Sequence, residues 1–128
     1  MKNSILIALI ALLGLTACSA KRVPASGTSI SASTLQTLTT SGKVVLIDAR
    51  TEGEYNEGHI KGAQLMDVLQ EANFLQQIKT LDHTKTYVVY CRSGKRSKRA
   101  MELMLQNGFK KVSDLEGGIM GWNGPTVK

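Results

Sequence analysis

The chain predicts an α/β domain in which a parallel sheet is covered by helices on both faces. Two continuous β-favouring runs, 43–48 and 86–91, read as buried strands, because strands covered on both faces lose the polar alternation of half-exposed ones. Helical periodicity follows the second run, with Ala100, Leu103 and Met104 on one stripe. Hydrophobic residues make up 42% and charged residues 20%, which fits one folded domain and argues against global disorder.

The elements follow in order. Met1-Lys2-Asn3 is a short basic start, and Ile5 to Leu15 is an apolar run interrupted only by Gly14, too short for a permanent span. Residues 1–17 therefore read as an export signal, outside the fold. Residues 18–30 lie in a Ser/Thr/Ala/Gly/Pro-rich stretch and read as a tether, leaving 31–128 as the domain. Ser31 or Ser33 can cap a short helix carrying Leu35 and Leu38, which ends before Gly42. Lys43 to Asp48 is the first strand. Thr51 to Glu57 is a polar connection of about one helical turn, broken by Gly58 and Gly62. Ala63 to Met66 suits a short strand, and Asp67 can cap a helix to about Lys79 carrying Leu69, Phe74 and Ile78. Thr86 to Cys91 is the second strand. A helix from Lys95 or Arg96 to Gln106 follows, terminated by Gly108. Lys111 to Leu115 reads as an edge-like strand, and Gly117-Gly118 as a flexible turn before Ile119 and Trp122.

Leu15-Thr16-Ala17-Cys18 resembles the cleavage box of bacterial lipoproteins. The resemblance implies that Cys18 becomes the first mature residue and is lipidated. Each buried CH₂ adds about 0.8 kcal/mol, so two or three acyl chains hold where one is marginal. The expected location is exported and lipid-anchored. Ser19, rather than Asp, favours the periplasmic side of the outer membrane in a two-membrane host. Only Cys18 and Cys91 are present, so lipidation leaves Cys91 without a disulfide partner, and an unpaired exported thiol points to function. The alternative is a Cys18–Cys91 disulfide tying the tail to the core.

The formal net charge is +6. Five of the sixteen cations, Arg92, Lys95, Arg96, Lys98 and Arg99, crowd into one short segment. A focused positive mouth suits a small anion better than a nucleic-acid backbone. The 5% aromatic content also offers few stacking platforms for bases. Cys91 ends a buried strand at the carboxyl edge of the sheet, where open α/β folds bind ligands. Ser93 and Gly94 let the chain turn. The amides of residues 92–97 can form an anion nest, reinforced by the next helix's positive end and by Arg92 and Arg96. Each favours a thiolate, so the Cys91 pKa is expected below the free value of about 8.5. Such a thiolate can attack the outer sulfur of an anion such as thiosulfate and carry it as a persulfide.

These residues closely resemble the single-domain rhodanese-like sulfurtransferases. The likeness rests on Asp48-Ala49-Arg50, on Glu54-Tyr55 with Gly58-His59-Ile60-Lys61-Gly62-Ala63, on the loop Cys91 to Ser97, and on Leu115-Glu116-Gly117-Gly118-Ile119 with Trp122. It implies a five-stranded parallel sheet flanked by helices on both faces, and a Cys91 persulfide. Arg92, Ser93, Gly94, Lys95, Arg96 and Ser97 would bind substrate, with Arg92 and Arg96 facing the oxyanion end of the donor. Asp48 and Arg50 would brace the loop. The implied partners are a small anionic sulfur donor and a thiol, cyanide or protein-cysteine acceptor, with no cofactor. Phosphatase and arsenate-reductase relatives carry a longer loop, so the short loop favours sulfur over phosphorus. Ala49 stands where Val is common, and the stretch after Trp122 is short, which would expose that side.

The remaining candidates read as structural. His59, between glycines, suits a structural role, and His83 a surface one. Two distant His and one available Cys make no metal site. Glu116 suits the rim of the site and Trp122 the core.

Overall fold

Val45–Asp48 and Tyr87–Tyr90 lie side by side at the centre of a parallel sheet in the computed structural model, which describes residues 26–128. The export signal and Cys18 lie outside the described residues. In chain order the elements are β1 (Ser29–Ile30), α1 (Ala32–Thr40), β2 (Val45–Asp48), α2 (Glu52–Glu57), β3 (His59–Ile60) and β4 (Gln64–Leu65). They continue with α3 (Glu71–Ile78), β5 (Tyr87–Tyr90), α4 (Lys95–Gln106), β6 (Val112–Leu115), a 3₁₀ turn (Gly118–Gly121) and β7 (Thr126–Val127). The five-stranded sheet has the order β1-β6-β5-β2-β4, and every pairing is parallel.

Successive residues of the central strands feed opposite faces, as the period of two requires. Ile47, Tyr87, Val89 and Val112 pack with Phe74, Ile78, Ala100 and Met104 of α3 and α4. Leu46, Val88, Tyr90 and Leu115 pack with Leu35 and Leu38 of α1 and with Ile60. The chain leaves β2 towards β4 on one side and leaves β5 towards β6 on the other. The loops after these neighbouring strands therefore diverge, which opens a crevice at their carboxyl ends.

Several local expectations are corrected. β6 is internal rather than edge-like: it lies between β1 and β5, and all four of its residues are buried. The edge is supplied by Ser29–Ile30, in the stretch that composition reads as tether, with Ser29 in register with Asp114. Gly27 N donates to Val112 O at 2.7 Å, so residues before 31 also bond to the sheet. Asp67 does not cap α3. It accepts from Leu69 N at 2.9 Å, α3 starts at Glu71, and Leu69 is exposed. Ser31, not Ser33, caps α1 by accepting from Thr34 N. Trp122 packs half-buried against the α1 side rather than in the core. Near it, β3 and β7 form an antiparallel ribbon that no sequence pattern anticipates.

Candidate active site

The buried run of β5 delivers Cys91 to the crevice and ends there because the next residues cannot continue a strand. Gly94 has φ +118°, a conformation L side chains rarely adopt, and α4 starts immediately after it. This tight turn brings the Gly94 amide to Cys91 Sγ at 3.1 Å. Ser97, in the first turn of α4, sets its hydroxyl 3.6 Å from the same sulfur. Cys91 is almost wholly buried. Burial pushes its thiol up, but hydrogen bonds from the Ser97 hydroxyl and from the amides of Ser97, Gly94 and Ser93 outweigh that. The result lies below the thiol's ordinary value, so the cradle favours sulfur that carries negative charge.

A second segment props the loop from beneath. Ile119 N donates to Cys91 O at 2.9 Å and Met120 N to Arg92 O at 3.2 Å. Gly118, at φ +60°, sits so close that a Cβ there would fall on the Arg92 carbonyl. The two glycines that sequence reads as a flexible turn thus include a close-approach position.

The candidate substrate-binding residues divide. Ser93 and Gly94 shape the cradle, and Ser97 is buried within it. Arg92 and Lys95 are exposed beside it, and neither is ion-paired among the described residues. Arg96 departs from expectation. Its two terminal nitrogens hold the Glu54 carboxylate at 2.7 and 2.8 Å instead of facing the mouth alone. Glu54 is already fixed by a capping box with Thr51 at the start of α2. The Arg96 hydrogen bonds, joined by those from Thr51, hold its carboxyl down at about 2 despite burial. The same pairing raises Arg96, with a further contribution from the Cys91 charge.

Asp48 and Arg50 lie at the end of β2, beside β5. Arg50 Nε and Nη2 donate to the Asp48 carboxylate at 2.9 and 2.7 Å, and Nη2 also donates to Gly58 O. Tyr90 Oη donates to Asp48 Oδ2 at 2.7 Å and accepts from Ile60 N at 3.0 Å. Burial and the Asp48 contact raise the Tyr90 phenol, keeping it neutral. His59 is buried, stacked on the Tyr55 ring at 3.6 Å, with Nδ1 on Tyr55 O. Glu116 is exposed at the rim. Sequence reasoning missed Asp114, a fully buried carboxylate of β6 that accepts from Ser29 Oγ at 2.6 Å and from Ser97 Oγ at 3.3 Å. A carboxylate inside the short apolar run of β6 was the available signal. A cavity of about 570 Å³ opens beside the loop, between Ser93, Gly94, Lys95 and Lys98 on one side and Asp114 and Glu116 on the other.

Comparison with known proteins agrees with this fold. The putative sulfurtransferase YtwF of Bacillus subtilis is 38% identical over 84 residues, covering 66% of this chain and 78% of that protein. A tRNA uridine(34) hydroxylase of Cytophaga hutchinsonii is 35% identical, but the match covers 60% of this chain and only 25% of the hydroxylase. Among solved structures, the Alr3790 protein from Anabaena sp matches with a TM-score of 0.70 and 28% identity, covering 77% of this chain and 81% of that one. A rhodanese-related protein from Thermoplasma volcanium matches with a TM-score of 0.68 and 29% identity, covering 77% and 96%. The family model for the rhodanese-like domain matches residues 31–125, and this chain belongs to that family.

Proposed function

We propose that this chain moves a sulfane sulfur from thiosulfate or a related anion to a thiophilic acceptor through a Cys91 persulfide. Membership in the rhodanese-like family supports a sulfurtransferase-like enzymatic role in general. The observation that carries the finer reading is the amide cradle around Cys91, above all the Gly94 N–H at 3.1 Å from Sγ. In the first step the Cys91 thiolate bonds to the outer sulfur of the donor. The bond between the donor's two sulfurs breaks, and sulfite leaves with the electron pair. The new terminal sulfur carries the negative charge, which the amides of the loop stabilise as they did the thiolate. In the second step cyanide or a thiolate bonds to that sulfur and Cys91 leaves as a thiolate. Arg92 and Lys95, without a carboxylate partner among the described residues, draw in the anionic donor.

Mass spectrometry of the thiosulfate-treated protein tests this. The expected result is one added sulfur on Cys91 with release of sulfite, both abolished in Cys91→Ser. Unmodified Cys91 across thiosulfate, polysulfide and protein-persulfide donors would overturn the reading. A sulfur-relay role with a protein partner is the second reading. Met120, 68% exposed and joined through its backbone amide to Arg92 O, favours it, because an exposed apolar residue on the segment that supports the loop suits a protein acceptor. Faster turnover with a protein cysteine than with cyanide distinguishes the two. The reading also carries a location: export and lipidation at Cys18 would put this chemistry at a membrane surface, and labelling with a fatty-acid analogue, lost in Cys18→Ala, tests it.

A further inference from the structure

Two large apolar side chains exposed among the described residues, Leu69 at 64% and Met120 at 68%, flank the Cys91 loop. Backbone hydrogen bonds fix their places. Ala49 N donates to Tyr90 O and Val68 N to Ala49 O, which sets Leu69 just past a chain two strand spacings from the end of β5. On the other side Ile119 N donates to Cys91 O and Met120 N to Arg92 O, one spacing away. Neighbouring strands lie about 4.8 Å apart, so the backbones of Leu69 and Met120 stand about 15 Å apart with the loop between them. Exposure at Leu69 has a local cause: Asp67 Oδ1 accepts from Leu69 N at 2.9 Å, and this turn leaves Val68 in the core and Leu69 outside. Arg92, Lys95 and Lys98 are exposed on the loop and the start of α4, and none has a carboxylate partner among the described residues. Glu54 is taken by Arg96 and Glu71 by Arg99, while Asp67 serves the Leu69 turn. Glu116 stays exposed at the rim.

We propose that this rim is a docking surface for a protein acceptor whose cysteine projects on a segment carrying apolar and acidic side chains. The inference rests on Cys91 being the sulfur carrier, and it deepens the relay reading. Neither a sulfur anion nor cyanide has a use for two apolar side chains so far apart, whereas about five extended residues of a polypeptide span the gap. Leu69 and Met120 seat the partner's apolar residues, and the loop's cations face its carboxylates. The occupant must also reach inward, because Cys91 itself is almost wholly buried. A flat bilayer delivers no nucleophile to such a sulfur, and a second copy of this chain would set the same cations face to face. The transfer balances without a further reactant. The acceptor's thiolate sulfur bonds to the outer persulfide sulfur, the bond from that sulfur to Cys91 breaks, and the electron pair leaves with Cys91 as a thiolate. The acceptor carries the sulfur away as its own persulfide.

The test loads Cys91 of the full chain with sulfur from thiosulfate and follows, by quenched mass spectrometry, its transfer to short synthetic peptides. One peptide carries a single cysteine among leucines and glutamates. A second replaces each glutamate with lysine, and a third replaces each leucine with serine. The first is expected to react about tenfold faster than either, with its lead over the lysine peptide shrinking as salt is added. Leu69→Ser and Met120→Ser are each expected to slow transfer to the first peptide about fivefold. Transfer to cyanide by Leu69→Ser stays at the wild-type rate, which shows that the variant is folded and loaded. Equal rates for the three peptides overturn the proposal, as does a Leu69→Ser variant that keeps the full preference. So does Leu69-dependent binding of the unlipidated Cys18→Ala chain to vesicles of anionic phospholipid, or Leu69-dependent self-association, since either assigns the rim to another occupant. A Cys91 that takes up no sulfur sinks the reading beneath, while a loaded Cys91 indifferent to the peptides sinks this inference alone.

Discussion

The two central strands end side by side, yet their ends handle charge in opposite ways. At the end of β2, Asp48 and Arg50 face each other in a closed network with Tyr90, and both Asp48 oxygens and the Arg50 Nε and Nη2 have partners inside the protein. At the end of β5, the Cys91 sulfur meets no side-chain cation directly among the described residues and is held by N–H and O–H dipoles. Even Arg96, two residues beyond Gly94 on α4, is tied to Glu54. The comparison teaches that charges which are matched and buried make a brace, while unmatched dipoles aimed at one atom make a reactive position. A dipole cradle can hold a thiolate and a persulfide alike, whereas a fixed counter-ion would favour one geometry.

Removing one partner from the brace should have the largest effect. Arg50→Met leaves the Asp48 carboxylate buried without its cation, held only by the Tyr90 hydroxyl and the amide of residue 50, and the expected loss is about 3–5 kcal/mol of stability in urea unfolding. Gly118→Ala comes next. The left-handed backbone and the collision with the Arg92 carbonyl should cost about 1–3 kcal/mol and displace the loop, read as slower alkylation of Cys91. Glu54→Gln is smaller, about 1 kcal/mol of stability, but it frees Arg96 to face the mouth. The Michaelis constant for thiosulfate should then fall while the turnover number changes little. The smallest effect is on pH dependence. Glu54 is held at about 2, below its ordinary 4.5, so its contribution is complete above about 4.5 and is lost as pH falls towards 2. Acid unfolding of Glu54→Gln should lack that segment of the curve.

The parts most legible in the sequence are those whose information is local. β2 and β5 announce themselves by unbroken apolar runs, and α4 by its stripe and its glycine start. The loop was legible because Cys91, Gly94 and its cations are contiguous. What stayed hidden depends on a partner distant in sequence. Ser29–Ile30 becomes a strand only because β6 offers it an edge, and two residues carry no period. Arg96 points where it does because Glu54, 42 residues earlier, is already fixed by Thr51. Asp114 looked like one polar residue in a short strand until Ser29 and Ser97 closed around it. Contacts of this kind arise from topology, which no local pattern encodes.

The β1 strand has a practical consequence for anyone cutting the gene. A domain trimmed at residue 31, the boundary that composition suggests, would keep every motif and still lose Ser29. Asp114 would lose its shorter hydrogen bond, and the outer side of β6 would be left without a neighbour. Such a fragment should be prone to edge-to-edge association. Its thiol would also sit beside a carboxylate in altered surroundings, so reactivity measured on it would misstate that of the longer chain. An expression boundary at or before residue 26 preserves both.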